Sequence, residues 1–292
     1  MKCIYPQVKE RNFHGQAYLY QYPCGYCKHC QITKRRQWQC RILLESKLYP
    51  ESIFVTLTYS QENLPEGNEL QPDDLKNFIR RYTYNVGPTR YFACGEYGEK
   101  SGRAHYHAIL FGRSMLDEKQ VIDSWQLGHS TTAPITPHRA QYVAKYTTKH
   151  SKLLKDLPDG HQKEFARMSR NPGIGYGYVR KVADRLKRKG LSIIYSPSDV
   201  QKGSRTQITL PGSIRVDGKL LPLDSYCKRI LMSELGEPDR LSRQWFKDQH
   251  DAVMFGTQAE GVPLFQKVML EVDKDLMSQH VARKTTRNKG VI

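Results

Sequence analysis

The run from Arg103 to Gly112 reads as a β-strand, polar at its start and apolar from Ala108 to Phe111. Strand side chains alternate between faces, so His105 and His107 point the same way and Tyr106 points oppositely. Of the ten histidines in the chain, no other two share this spacing. Paired histidines on a strand are more often surface residues than ligands, so the neighbouring sequence decides. Upstream, Arg90 to Tyr97 is a second strand, and Gly98 to Gly102 has the composition of a hairpin loop, which folds Glu96 back beside the histidines. Downstream, Tyr142 and Tyr146 stand one helical turn apart, with Lys145 between them and Lys149 beyond on the tyrosine face.

Around this centre the pattern is mixed. Ile53 to Tyr59 is a β-branched and aromatic strand. Pro72-Asp73-Asp74 opens a helix carrying Leu75, Phe78, Ile79 and Tyr82 at helical spacing. Met115 to Trp125 is a short helix, His129 to Ala133 a further strand, and Pro137 begins the tyrosine helix. The order predicts an α+β fold: a central antiparallel sheet of about five strands with helices covering one face.

The chain of 292 residues carries a net charge of +17, together with 18 tyrosines, 9 phenylalanines and 3 tryptophans. That balance favours a polyanion whose bases can stack, which is nucleic acid before lipid. No window approaches the roughly 18 apolar residues of a membrane span, and the start lacks the apolar core of a signal peptide, so no membrane partner and a cytoplasmic location are expected. Seven cysteines, three of them packed into Cys24-Gly-Tyr-Cys27-Lys-His-Cys30, suit a reducing compartment and a structural Zn²⁺ better than disulfides. Cys3 is the preferred fourth ligand, with His29 and Cys40 as rivals and an iron–sulfur cluster as the lesser occupant. Residues 31–48 read as a helix with a basic face that includes Arg35 and Arg36.

Three divisions follow: a cysteine-rich zinc element and basic helix at 1–50, a catalytic domain at 51–180, and a basic C-terminal extension at 181–292. Phe165 to Gly175, including Arg170, has the Gly and Pro spacing of an irregular loop approaching DNA. The cluster holding Arg180 and Lys181 is either a solvated helix or a DNA track. Thr206 to Pro211 and Ser213 to Lys219 form a hairpin, Arg240 to Asp251 a helix, and the charged stretch from Asp273 a disordered tail. The chain has no helicase-type phosphate loop, so unwinding falls to a separate motor.

Taken in order, Phe54-Val55-Thr56-Leu57-Thr58-Tyr59, Gly95-Glu96-Tyr97-Gly98, His105-Tyr106-His107 and Tyr142-x-x-x-Tyr146-x-x-Lys149 resemble the motif set of the histidine-hydrophobe-histidine (HUH) rolling-circle replication initiators. More narrowly, the cysteine run ahead of Arg36-Gln37-Trp38, and Met168-Ser169-Arg170-Asn171-Pro172-Gly173 after the tyrosines, resemble the initiators of gokushovirus-type microviruses. Where that family often has proline and a second lysine, this chain has Ala104 and His150.

The resemblance implies an HUH endonuclease with an RRM-like core. Glu96, His105 and His107 would hold Mn²⁺ or Mg²⁺, and Tyr142 and Tyr146 would act as nucleophiles on single-stranded origin DNA. Lys149 or Lys145 would stabilise the oxyanion, and Arg35, Arg36, Arg170, Arg180 and Lys181 would contact DNA. A 5′-phosphotyrosine link and a free 3′-hydroxyl would result, with host helicase and DNA polymerase as partners in the host cytoplasm. A plasmid relaxase or transposase of the same chemistry, and a non-catalytic zinc-containing DNA-binding regulator, are the other readings.

Overall fold

A computed structural model describes residues 3–13, 16–99, 101–148, 161–194, 207–235 and 262–289. These form two compact units, one of residues 41–174 and one of 1–40 with 175–292.

In the first unit, β3 (Ser52–Tyr59), β4 (Arg90–Tyr97), β5 (Ala104–Phe111), β6 (Gly128–Pro134) and β7 (Phe165–Met168) make one antiparallel sheet in the order β6-β3-β5-β4-β7. The fold class is therefore the predicted α+β. The fifth strand is β7, which reads in sequence as part of an irregular loop. It is only four residues long, and its pairing with the edge of β4 is what makes it a strand.

One sheet face is covered by α2 (Pro72–Val86) and α3 (Glu118–Trp125). Pro72 sets the first helical turn of α2, Asp73 and Asp74 meet its positive end, and Gly87 closes it with a φ of 88°. Phe78, Tyr82 and Trp125 pack there against Val55, Leu57, Tyr106 and Ala108, all fully buried. The other face is not bare, as the prediction of helices on one face required. There α4 (Pro137–Ala144) brings Tyr142 against His107, with ring centres 5.1 Å apart. At the far end of that face, buried Glu45 on the last turns of α1 (Lys28–Ser46) accepts from Arg90 at 2.5 Å, and Tyr49 stacks on Phe111.

The second unit holds a hairpin of β1 (Gln7–Phe13) with β2 (Gln16–Tyr22), the start of α1, and α5 (Tyr176–Arg188). After these come the parallel pair β8 (Ser192–Ile194) and β9 (Gln207–Thr209), the hairpin β10 (Ser213–Val216) with β11 (Lys219–Pro222), and α6 (Ser225–Leu235). The expected hairpin of 206–211 with 213–219 is thus replaced: β9 pairs with the distant β8, and β10 turns back through Asp217 and Gly218 onto β11. The expected disordered tail is instead part of α7 (Val262–Lys289). Phe265, Val268, Met269, Val272 and Leu276 are buried along one helical stripe, and that periodicity outweighs the charge of the segment. The expected helix at 240–251 lies outside the described residues.

Beneath the sheet a hydroxyl network ties β5 to the start of α2. Tyr106 donates to the Gln71 carbonyl at 2.9 Å and accepts from the Gln71 N–H at 2.8 Å. Tyr59 lies 2.6 Å from the Tyr106 oxygen and donates to Asp74 at 2.6 Å. Tyr106→Phe keeps the ring and strips the Gln71 N–H of its acceptor. We expect it to lower unfolding free energy by about 1–3 kcal/mol in urea titration, and an unchanged midpoint would show the network to be idle.

Candidate active site and zinc centre

The β4–β5 register pairs Glu96 with His105 and Cys94 with His107, so alternation puts Glu96, His105 and His107 on one face. The loop between them is closed by the Gly98 N–H to the Arg103 carbonyl at 3.0 Å, as the hairpin composition predicts. Glu96 is 2% exposed, and its Oε1 accepts from three groups: His105 Nε2 at 2.8 Å, His107 Nε2 at 2.7 Å and the Tyr142 hydroxyl at 2.5 Å.

The far nitrogens are held as well. His105 Nδ1 lies 3.0 Å from the Arg103 carbonyl and His107 Nδ1 lies 3.0 Å from Thr56 Oγ1, while Phe54 stacks on the His107 ring. A carbonyl only accepts, so His105 bridges two acceptors when doubly protonated. Burial opposes that charge, but the bonds to Glu96 and Arg103 win and raise its pKa. His107 is more deeply buried, and desolvation lowers its pKa. Burial also works to raise the Glu96 pKa, yet the three donors outweigh it and bring the carboxyl to about 2. Tyr142 is pushed above the ordinary phenol range by burial and by the Glu96 charge.

One ligand atom from each of Glu96, His105 and His107 lies within 4.8 Å of the others. Two nitrogens and a carboxylate oxygen suit a divalent ion of the manganese or magnesium kind, and adjacent ligands around such an ion stand about 3 Å apart. The Arg103 carbonyl and Thr56 hydroxyl supply outer partners that orient the imidazoles. Sequence reading does not single out Thr56; the cue is its position opposite His107 in the β3–β5 register.

Tyr142 and Tyr146 come together, with ring centres 5.7 Å apart. They do not share one continuous α-helix, because α4 ends at Ala144 and Tyr146 sits in a 3₁₀ turn, Lys145–Thr147. Tyr146 is 4% exposed, whereas Tyr142 is half-buried. Lys145 Nζ lies 5.9 and 5.7 Å from the two ring centres and pairs with Glu99 at 2.9 Å. Lys149 lies outside the described residues.

The second group is Cys3, Cys24, Cys27 and Cys30, whose sulfurs also lie within 4.8 Å of one another. Cys3 rather than His29 or Cys40 completes it. The Cys3–Cys27 and Cys24–Cys30 sulfur separations are both 3.9 Å. Zinc–sulfur bonds of about 2.3 Å in a tetrahedron require about 3.8 Å between sulfurs, so the donor set fits zinc. Backbone N–H groups of Ile4 and Cys30 lower the Cys27 thiol to about 6, and burial raises Cys30 to about 12.

The basic residues do not form one track. Arg36 donates to the Leu220 carbonyl at 2.6 Å, and the Arg35 Nε is buried. Arg170, Arg180 and Lys181 are exposed, with Arg180 3.9 Å from Glu234. Further along α5, Arg185 pairs with Asp275 and Glu271, and Lys189 with Glu271 at 2.9 Å, so this half of the cluster binds α7.

Residues 52–151, which run from β3 past the tyrosine pair, match the family of the Replication-associated protein ORF2. The chain belongs with the replication-associated proteins of microviruses. It is 31% identical over 210 residues to Replication-associated protein ORF2 of Spiroplasma virus 4, covering 62% of this chain and 63% of that protein. It is 26% identical over 198 residues to Replication-associated protein VP4 of Bdellovibrio phage phiMH2K, covering 59% and 62%. To Replication-associated protein ORF4 of Chlamydia phage 1 it is 27% identical over 177 residues, covering 52% and 42%. The chain thus spans a little over three fifths of the first two relatives. No solved structure matches it. Among the described residues, no helix is long and apolar enough to cross a membrane.

Two outcomes are expected. Metal analysis of purified protein finds one zinc per chain and Cys24→Ser loses it; a zinc-free, fully folded wild type would overturn the assignment. Glu96 has a folded pKa of about 2 against an ordinary 4.5, so its ionised form stabilises the chain above about pH 4.5, and that contribution is lost as pH falls toward 2. In metal-free protein, acid unfolding of wild type should therefore include a loss on the order of 3 kcal/mol that Glu96→Gln lacks; parallel curves would contradict it.

Proposed function

We propose that this chain is a replication initiator that nicks single-stranded origin DNA by tyrosine attack and rejoins strands in rolling-circle replication of a small single-stranded DNA phage. The observation that carries the proposal is the convergence of His105, His107 and Tyr142 on one oxygen of Glu96, with no donor more than 2.8 Å away. A non-catalytic DNA-binding regulator has no use for that arrangement.

A divalent ion at Glu96, His105 and His107 supplies Lewis-acid polarisation of the scissile phosphate and neutralises the carboxylate that otherwise holds the Tyr142 proton. The phenolic oxygen of Tyr142 attacks phosphorus, the bond from phosphorus to the 3′-oxygen breaks, and that oxygen leaves as a 3′-hydroxyl with a proton from the site. A 5′-phosphotyrosine remains, and the free 3′-hydroxyl primes synthesis. Tyr146, against the Tyr142 ring, is the second nucleophile, so two successive transesterifications release and close a strand with no external energy source. The Lys145 ammonium, once parted from exposed Glu99, offsets the negative charge that develops on the tyrosine oxygens, and Lys149 shares this role. Arg170, Arg180 and Lys181 contact phosphates, and host helicase and polymerase supply unwinding and synthesis in the host cytoplasm.

The test is covalent capture of a labelled single-stranded origin oligonucleotide with Mn²⁺ on a denaturing gel. Wild type should give a shifted band that chelator and His107→Ala abolish, with Tyr142→Phe and Tyr146→Phe each reducing it and the double variant removing it. Tight origin binding without cleavage in any divalent metal would transfer the function to a regulator. Cleavage confined to a plasmid transfer origin or a transposon end would instead mark a relaxase or a transposase.

A further inference from the structure

The cysteine element exposes apolar surface where a mere scaffold would bury it. Four large hydrophobic side chains in the first 26 residues stand open: Ile4 at 51%, Tyr5 at 61%, Val8 at 55% and Tyr26 at 61%. Tyr26 lies inside the Cys24–Cys27 step and Tyr5 two residues after Cys3. The backbone around them is tied to sulfur. The N–H groups of Ile4 and Tyr5 point at Cys27 and Cys3, and the Cys27 N–H donates to Cys24 Sγ at 3.3 Å. The loops that present both rings are thus ordered by the cysteine cluster.

Charge says what such rings would meet. Between residues 1 and 44 the sole acid is Glu10, against Lys2, Lys9, Arg11, Lys28, Lys34, Arg35, Arg36 and Arg41. Lys9, Lys28 and Lys34 are exposed. The core of a protein-binding patch is depleted in lysine, whereas flat rings among lysines are how unpaired bases and their phosphates are held. Duplex DNA keeps its bases stacked internally and gives open tyrosines little to contact.

We infer that the cysteine element is a second, sequence-tolerant site for single-stranded DNA, with Tyr5 and Tyr26 stacking on bases and Lys9 and Lys28 holding phosphates. This site stands on the N-terminal residues alone and does not depend on the nicking reaction. Joined to it, the element keeps hold of single-stranded DNA outside the scissile bond.

The experiment uses full-length, zinc-loaded protein without added Mn²⁺ or Mg²⁺ and a fluorescent oligothymidine of about 20 nucleotides that lacks any origin sequence. Fluorescence anisotropy at about 0.1 M salt should show Tyr5→Ala and Tyr26→Ala each weakening binding about tenfold, with Tyr5→Phe and Tyr26→Phe close to wild type. The double variant Lys9→Glu with Lys28→Glu should weaken binding and flatten its salt dependence. Zinc content is measured on each variant; where an alanine variant loses zinc, the phenylalanine and lysine variants carry the test. Wild-type affinity in zinc-loaded alanine variants, equal binding of a duplex of the same length, or binding to phosphatidylserine vesicles that the oligothymidine does not displace would each overturn the inference.

Discussion

Everything at the candidate active site depends on one pairing, Glu96 opposite His105 across β4 and β5. A slip of one residue would turn Glu96 to the far face and offer Gly95 or Tyr97 in its place. The register is held from that far face. Tyr106, between the two histidines, is bonded to Gln71, and the Tyr97 hydroxyl, on the residue after Glu96, accepts from the Leu70 N–H and donates to the Gln162 carbonyl. Side chains with no place in the chemistry thus position those that have one.

How much of this can be read from sequence follows from the range of the physics involved. Alternation is local, so His105, His107 and their strand are legible, and a five-residue loop of Gly and polar residues brings Glu96 with them. The helix α2 announces itself through Pro72, Asp73 and Asp74. Parts that depend on distant partners are hidden: β7 is a strand only because β4 lends it an edge, and β9 pairs with β8 across an intervening segment. The hairpin of β1 and β2 escapes a sequence reading because its first half, from Gln7, is mostly polar. In α7 the charges mask Phe265, Val268, Met269, Val272 and Leu276, whose spacing is there to be found. The 3₁₀ turn at Lys145–Thr147 is beyond reach, since spacing of four residues does not distinguish one helical winding from another.

The two candidate metal centres are chemically distinct. Four sulfurs at the N-terminus favour a thiophilic, tetrahedral ion, and two imidazoles with a carboxylate favour a harder ion with open positions. The net charge of +17 is also unevenly available, because α5 commits Arg185 and Lys189 to the acids of α7 while the first 44 residues hold a single glutamate.

Three donors on one buried oxygen of Glu96 have a consequence for the life of the protein in a cell full of DNA. The metal-free chain is already ordered there, with its carboxylate satisfied and the Tyr142 phenol tethered to it. A newly made molecule can fold completely, and travel, in a chemically silent form. Arming it is then a competition between protons and a divalent ion for the same three side chains, which links the timing of any nick to the supply of that ion rather than to the act of folding.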